Sequence, residues 1–326
     1  MSKNPTTPNE SISDNSVKDD CNTSVELEEI IAIGKHKTSW QQIVLLISAS
    51  LSVIIVLLIF IFTFINGFQI IPEYGLFKFL FGDFWNPEIE YGILPMIIGS
   101  FLVVLIALVI AIPVGIACAV FLAELAPDIV RKIMKPTIEL LASIPSIVYG
   151  FIALRTIVIF FQDVLGFKTG RTAFTAGIVL AIMILPTIIS IADDAIKAVP
   201  QIYKEGSLAL GATRWQTIRK VILPASVSGL TAAIILGFGR AIGETMAIYI
   251  IGGGATAIPK PFFNIFQPID TLTSVIVREL GEAAVGSTEY HAIFAVACVL
   301  FIITFVVNLL GDVLIKRFAK KMRGAA

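Results

Sequence analysis

The sequence predicts an all-α, polytopic membrane protein with six transmembrane helices. Three observations carry that reading. Of 326 residues, 56% are hydrophobic and only 15% are charged, where a soluble domain of this length would hold nearer a quarter charged. Apolar runs of about 20 residues, enough to cross a bilayer, recur along the chain. The Lys and Arg residues between those runs alternate between rich and poor segments.

Residues 1–38 are polar, rich in Ser, Thr, Asn, Asp and Glu and nearly free of aromatics. They are expected to form a disordered tail, with a short surface helix over 25–33 to which no function is assigned. No cleavable signal is expected. The first apolar run begins only near Ile43, and no small-residue cleavage site follows it.

Between Lys37 and Glu73 there is no charged residue, which places the first span at about 43–65. With the aromatic-rich outer segment behind it, this span fills residues 39–90. That segment holds Phe64, Phe68, Tyr74, Phe77, Phe79, Phe81, Phe84 and Trp85. It reads as an interfacial belt that anchors the loop. The charge-free stretch from Glu90 to Glu124 gives a second span at about 95–121. The third, at about 138–161, contains Arg155, which is expected to snorkel toward the outer face. The fourth lies at about 173–192, and the Asp193-Asp194 pair at its end reads as solvated. The fifth, at about 226–251, contains Arg240 and Glu244 and is ended by Gly252, Gly253 and Gly254. The sixth lies at about 292–315, before a basic tail at 319–326. Pro113, Pro145 and Pro186 fall inside spans two, three and four as tolerated kinks.

Orientation follows from the basic residues. One alternating set of flanks holds fifteen Lys and Arg, among them Arg131, Lys132 and Lys135 after span two and five after span four; the other set holds five. The richer set is cytoplasmic, so both termini lie inside a cell (inner) membrane. The remaining composition argues against several classes. Cys21, Cys118 and Cys298 show no metal or disulfide spacing, and His36 and His291 stand far apart. The cysteines read as small packing residues. No nucleophile–base pattern suggests an enzyme, and no Gly-x4-Gly-Lys-Ser/Thr loop is present to bind ATP.

The cytoplasmic loop at 193–225 is the most informative stretch. Pro200 can open a helix, and Gly211 fits the left-handed position that ends one. Thr213 and Gln216 stand at capping-box spacing and start a second helix, with Trp215, Ile218 and Val221 on one face. Leu223-Pro224 is expected to break it before span five. The product is a compact helix–turn–helix that can lie in a partner's groove and move the attached spans. A DNA-reading pair has a similar local shape, but this loop is tethered to the membrane at both ends, so no nucleic acid is expected. A plain connecting loop is the other alternative.

This loop resembles the cytoplasmic motif of ABC-importer permeases: Glu-Ala-Ala, a Gly six residues after the Glu, then Ile-x-Leu-Pro. Glu205, Gly211, Val221, Leu223 and Pro224 stand at the matching spacing. Gly206-Ser207 replaces Ala-Ala, and Val221 replaces Ile. The resemblance implies a permease core over 91–318, formed by spans two to six, with span one as an addition. It implies that the loop docks on an ATP-hydrolysing subunit. The implied partners are a second permease subunit, a homodimeric pair of ATPase subunits and an extracytoplasmic binding protein. It implies no cofactor and no ATPase site in this chain.

Arg240 and Glu244 are costly inside an apolar run and suggest function. Their i,i+4 spacing on a continuous helix would put them on one face, able to pair. Such a pair either stabilises helix packing or lines a pathway. The planar fork of Arg suits a tetrahedral oxyanion, and Glu244 can steady it or accept a proton from a protonated anion, which favours phosphate over sulfate. The run from Gly239 to Ala247 resembles the phosphate-specific branch of the family, which carries Gly-Arg-Ala-(Ile/Leu)-Gly-Glu-Thr here. Phe121-Leu122-Ala123-Glu124, Ser143-Ile144-Pro145-Ser146 and Val148-Tyr149-Gly150-Phe151 resemble the first of that branch's two permease subunits. The resemblance, over about 90–320, implies half of a pathway for inorganic phosphate, with Arg240, Glu244 and Thr245 lining it. The sister permease, a permease for sulfate or molybdate, and a non-transporting membrane scaffold or sensor are the alternatives.

Overall fold

A computed structural model describes residues 40–259, 261 and 264–323 of the chain. The polar tail and its 25–33 segment lie outside the described residues, as do the last three residues of the basic tail. The chain divides between Ile61 and Phe62 into two units. In the first, α1 (Trp40–Phe68) begins, and every side chain from Trp40 to Ile61 is exposed. A helix apolar on all sides is suited to lipid rather than to a protein core.

The second unit takes up the end of α1 and everything after it. Short helices α2 (Ile70–Tyr74) and α3 (Leu76–Phe81) lead to an antiparallel pair, β1 (Trp85–Asn86) with β2 (Glu90–Tyr91), in which Trp85 faces Tyr91. This hairpin corrects the belt expectation. Phe79 and Trp85 are turned inward and buried with Ile70, Ile93 and Met96. Only part of the segment, including Phe68, Phe77 and Phe81, stays exposed.

The long helices follow. α4 (Leu94–Val120) accommodates Pro113 and ends in a π turn, Phe121–Leu125. α5 (Asp128–Ser143) is amphipathic and has no buried residue. α6 (Ser146–Arg155) and α7 (Ile157–Asp163) form one 18-residue apolar stretch. The third span therefore starts at Ser146 rather than near 138. Pro145 disfavours helical geometry at Ile144, which is extended there. α8 (Ala173–Lys197) is capped by the Thr172 hydroxyl, which accepts from the Thr175 N–H at 3.2 Å.

After α8 come α9 (Gln201–Ala209), α10 (Arg214–Thr217), a second π turn (Ile218–Ile222) and α11 (Leu223–Ala225). α12 (Val227–Ile242) and α13 (Met246–Ile251) make up the fifth span, and α14 (Leu272–Leu280) and α15 (Thr288–Arg323) complete the chain. Among the described residues, five helical stretches are long and apolar enough to cross a membrane. Arg214–Ala225 with Val227–Ile242 passes the same test as a pair bent by 70°, which makes six if that pair is one span.

α4 and α8 form the centre of this unit, with α6, α12 and α13 around them. Glycine lets them approach: a Cβ at Gly115 or Gly237 would stand 2.7 Å from Ile188 of α8. Close backbone approach of this kind is how helices associate where lipid removes the hydrophobic drive.

Candidate translocation and coupling sites

Span five is not one helix. α12 ends at Ile242, Gly243 to Thr245 leave the helix, and α13 resumes at Met246. Sixteen residues of α12 rise about 24 Å, short of a hydrocarbon core of about 30 Å, so the span is completed only by α13. The break overturns the expected helical i,i+4 pairing. Arg240 and Glu244 form no ion pair among the described residues.

Each has other partners. Arg240 Nη1 donates to Thr187 Oγ1 of α8 at 2.9 Å, and Nη2 to the Ala142 carbonyl of α5 at 3.4 Å. A guanidinium has five N–H donors, so most of the fork remains available. Glu244 is buried. Its Oε1 accepts from the Ala247 N–H at 3.3 Å, which ties the carboxylate to the first turn of α13. The Glu244 carbonyl accepts from Thr273 Oγ1 of α14 at 2.9 Å. Thr245 Oγ1 donates back to the Gly243 carbonyl at 3.1 Å. The structure thus gathers Arg240, Glu244 and Thr245 at one irregular segment. Non-helical backbone at membrane depth is tolerated where protein or a cavity satisfies it.

α14 lies between the fifth and sixth apolar runs, where hydropathy marks no span. Thr271 and Ser274 form a capping box at its start. Asp270, nearly fully buried, holds Arg278 at 2.5 Å. Ser100 Oγ of α4 accepts from the Leu272 N–H at 3.0 Å. α4 comes so close here that a Cβ at Gly99 would fall 2.0 Å from the Asp270 carbonyl. Thr271-x-x-Ser274 ahead of Val275 was the available signal. Thr187, a polar residue beside Pro186 in span four, was the signal for the Arg240 partner.

The loop at 193–225 forms the expected helix–turn–helix. Pro200 caps α9, and Gly211 has φ +83°, the left-handed region. Thr213 and Gln216 make both capping-box hydrogen bonds, at 3.3 and 2.8 Å. Two details differ. Ile218 is buried with Ile222, whereas Trp215 is exposed and Val221 only partly covered. The π turn inserts a residue into the repeat and rotates the face. Leu223-Pro224 also does not break the helix. Pro224 lies in the first turn of α11, where its missing N–H costs nothing, and the 70° bend falls after Ala225.

Glu205 projects exposed from α9, near exposed Ile202, Leu208 and Leu210. Its neighbour Lys204 forms an ion pair with Glu124 on the first π turn. Cavities of about 220 and 230 Å³ flank that pair. Beneath α9, the Asp193-Asp194 expectation needs correcting. Asp193 is buried and holds Lys197 at 2.5 Å, while Lys135 of α5 reaches Asp194 at 3.2 Å. The hydrogen bond to Asp194 raises the Lys135 pKa above its usual value, and the nearby carboxylate charges add to it against some desolvation. Only Asp194 is solvated, because α5 lies against that end of α8.

A family model described as "Binding-protein-dependent transport system inner membrane component" matches residues 111–324. That range holds α5 to α15, with the loop at 193–225 and the break. The chain belongs to this family. It is therefore an ABC-type permease, a membrane component of a transport system that works with a binding protein. The permease is 42% identical over 255 residues to a probable ABC transporter permease, YqgH, of Bacillus subtilis, covering 77% of this chain and 82% of that one. It is 38% identical over 265 residues to the phosphate transport system permease protein PstC of Pasteurella multocida, covering 75% and 81%. A bacterial alginate ABC transporter in complex with its alginate-bound periplasmic protein shares the fold, with a TM-score of 0.60 at 18% identity over 87% of this permease and 99% of that chain.

Proposed function

We propose that this permease forms half of the membrane path for inorganic phosphate in an ATP-driven importer. The observation that carries this reading is the Arg240 fork, held by Thr187 and the Ala142 carbonyl at a break in span five and keeping free donors. A tetrahedral oxyanion takes parallel hydrogen bonds from such a fork. Glu244 is committed to one backbone N–H. A carboxylate has about four lone-pair sites, so it retains room to accept the proton of a partly protonated phosphate. Relatives named as phosphate permeases support the substrate.

The coupling loop supports the assembly. Its rigid turn presents Glu205, Ile202 and Leu210 on one exposed surface, suited to a groove of an ATPase subunit. The complex would pair this chain with a second permease, two copies of an ATPase subunit and an extracytoplasmic phosphate-binding protein, with hydrolysis in the ATPase pair and both termini of this chain cytoplasmic. Closure of the ATPase pair moves α9 and α10. The 70° bend at Ser226 passes that movement to α12, and so to Arg240.

Uptake of labelled phosphate by the reconstituted complex, challenged with sulfate and molybdate, tests the substrate. Phosphate uptake should persist under excess of either competitor. Equal competition by all three would refute the phosphate reading.

A further inference from the structure

At the opposite end of α8 from the coupling loop, two cavities adjoin. α8 has 25 residues and rises about 37 Å, so these cavities and the loop lie at opposite ends of the bundle. The first, about 490 Å³, is lined by Arg155, Arg171, Gln162 and Thr169. The second, about 380 Å³, shares Leu154 and Arg171 and adds Tyr249, Asp270 and Arg278.

The charges of these arginines are not equivalent. Arg278 is neutralised by Asp270 at 2.5 Å and by Glu279 at 2.7 Å. The Arg155 and Arg171 side chains have no hydrogen bond or ion pair among the described residues. Two unpaired guanidinium groups on one concave wall repel each other and focus a field that favours an anion. The space suits a hydrated one, since a water takes about 30 Å³ in the liquid.

The second cavity also borders the helix that follows the break in span five. Tyr249 and Ile250 of α13 line the second cavity. Glu244 lies six residues before Ile250, at the break that opens α13. α6, which carries Arg155, packs directly on α13: a Cβ at Gly150 would stand 3.1 Å from the Ala247 Cα.

We infer that Arg155 and Arg171 line an oxyanion-holding vestibule, where the transported anion waits before it passes along α13 to Arg240. The identity of the anion as phosphate rests on the proposed function. The electrostatic character of the vestibule does not.

The test uses the complete complex in nanodiscs with Gln162→Cys as a thiol probe inside the first cavity, and the unsubstituted chain as background. Labelling by an anionic methanethiosulfonate should exceed labelling by its cationic counterpart several-fold, after correction for their rates with a free thiol. Adding Arg155→Gln and Arg171→Gln should abolish the preference, and Arg155→Lys with Arg171→Lys should keep most of it. Millimolar phosphate should slow anionic labelling several-fold, while chloride at equal ionic strength should not. Protection by sulfate or molybdate but not by phosphate would leave the vestibule standing and remove the phosphate reading. Equal labelling by both reagents, or no protection by any tetrahedral oxyanion, would overturn the inference. So would a double Gln variant that raises only the concentration of loaded binding protein needed for half-maximal uptake, since the arginines would then dock that protein's surface.

Discussion

Between Pro200 and Pro224 the chain satisfies its backbone with near neighbours. Thr213 and Gln216 cap each other across three residues, and Gly211 makes the turn that its φ of +83° requires. Around Gly243 to Thr245 much of the fixing comes from far away. Arg240 is held by Thr187 and Ala142, and the Glu244 carbonyl by Thr273, across sequence separations of 53, 98 and 29 residues. The two regions flank one helix, α12, yet one closes its own turn and cap locally, and meets α4 and α8 through Lys204, Ile218 and Ile222, while the other is a seam between elements. If the loop receives force from a partner, as proposed, a locally closed turn lets it keep its shape. A part that opens and closes can borrow its shape from helices that move.

The sharpest way to break this contrast is at Arg240. Lys keeps the charge but cannot reach Thr187 and Ala142 while offering a fork to an anion. A hydrogen bond to a charged group is worth about 1.5–3 kcal/mol, so Arg240→Lys should lower phosphate uptake by more than about tenfold. ATP hydrolysis stimulated by the loaded binding protein should persist, because the coupling loop is intact. Loss of both together would mean that the seam is needed for coupling as well.

Gly211 makes the reciprocal case. A β-branched residue in the left-handed region costs about 1–2 kcal/mol, whereas Asn visits it readily. Gly211→Val should reduce stimulated ATP hydrolysis and uptake together by several-fold, and Gly211→Asn should leave both near the parent value. If Val is tolerated, the turn is less rigid than its capping implies.

The same contrast explains what was legible in the sequence. Pro200, Gly211 and the Thr213–Gln216 spacing encode their structure within a few residues, so the loop was readable. Positions of the long apolar runs were readable because hydropathy acts residue by residue. The break in span five was not. Gly239, Gly243 and Glu244 sit in a run apolar enough to be helical throughout, and the distant Thr273 and the packing of α6 on Ala247 join the local Glu244 cap in fixing it. Asp193 misled for a similar reason: its burial is caused by Lys197 and by α5, which approaches from 59 residues away at the Lys135–Asp194 bond. Arg155 was visible as a charge, but its companion Arg171 lies on another segment, and only the fold sets them around one cavity.

The finest comparison pairs two threonines. Thr213→Ala removes a helix cap worth about 1 kcal/mol, and Thr273→Val removes the bond to the Glu244 carbonyl and one to the Thr271 hydroxyl, each worth about as much. Both variants should assemble with a small fall in thermal stability. Their effects on function should separate. Thr213→Ala loosens the start of α10, so ATP hydrolysis and uptake should fall together by a few-fold or less. Thr273→Val releases the Glu244 carbonyl from α14, so uptake per ATP hydrolysed should fall while hydrolysis is held. Small energetic damage in both with unequal coupling ratios is what a lever and a movable seam require, and identical ratios in the two variants would show that they are one mechanical element.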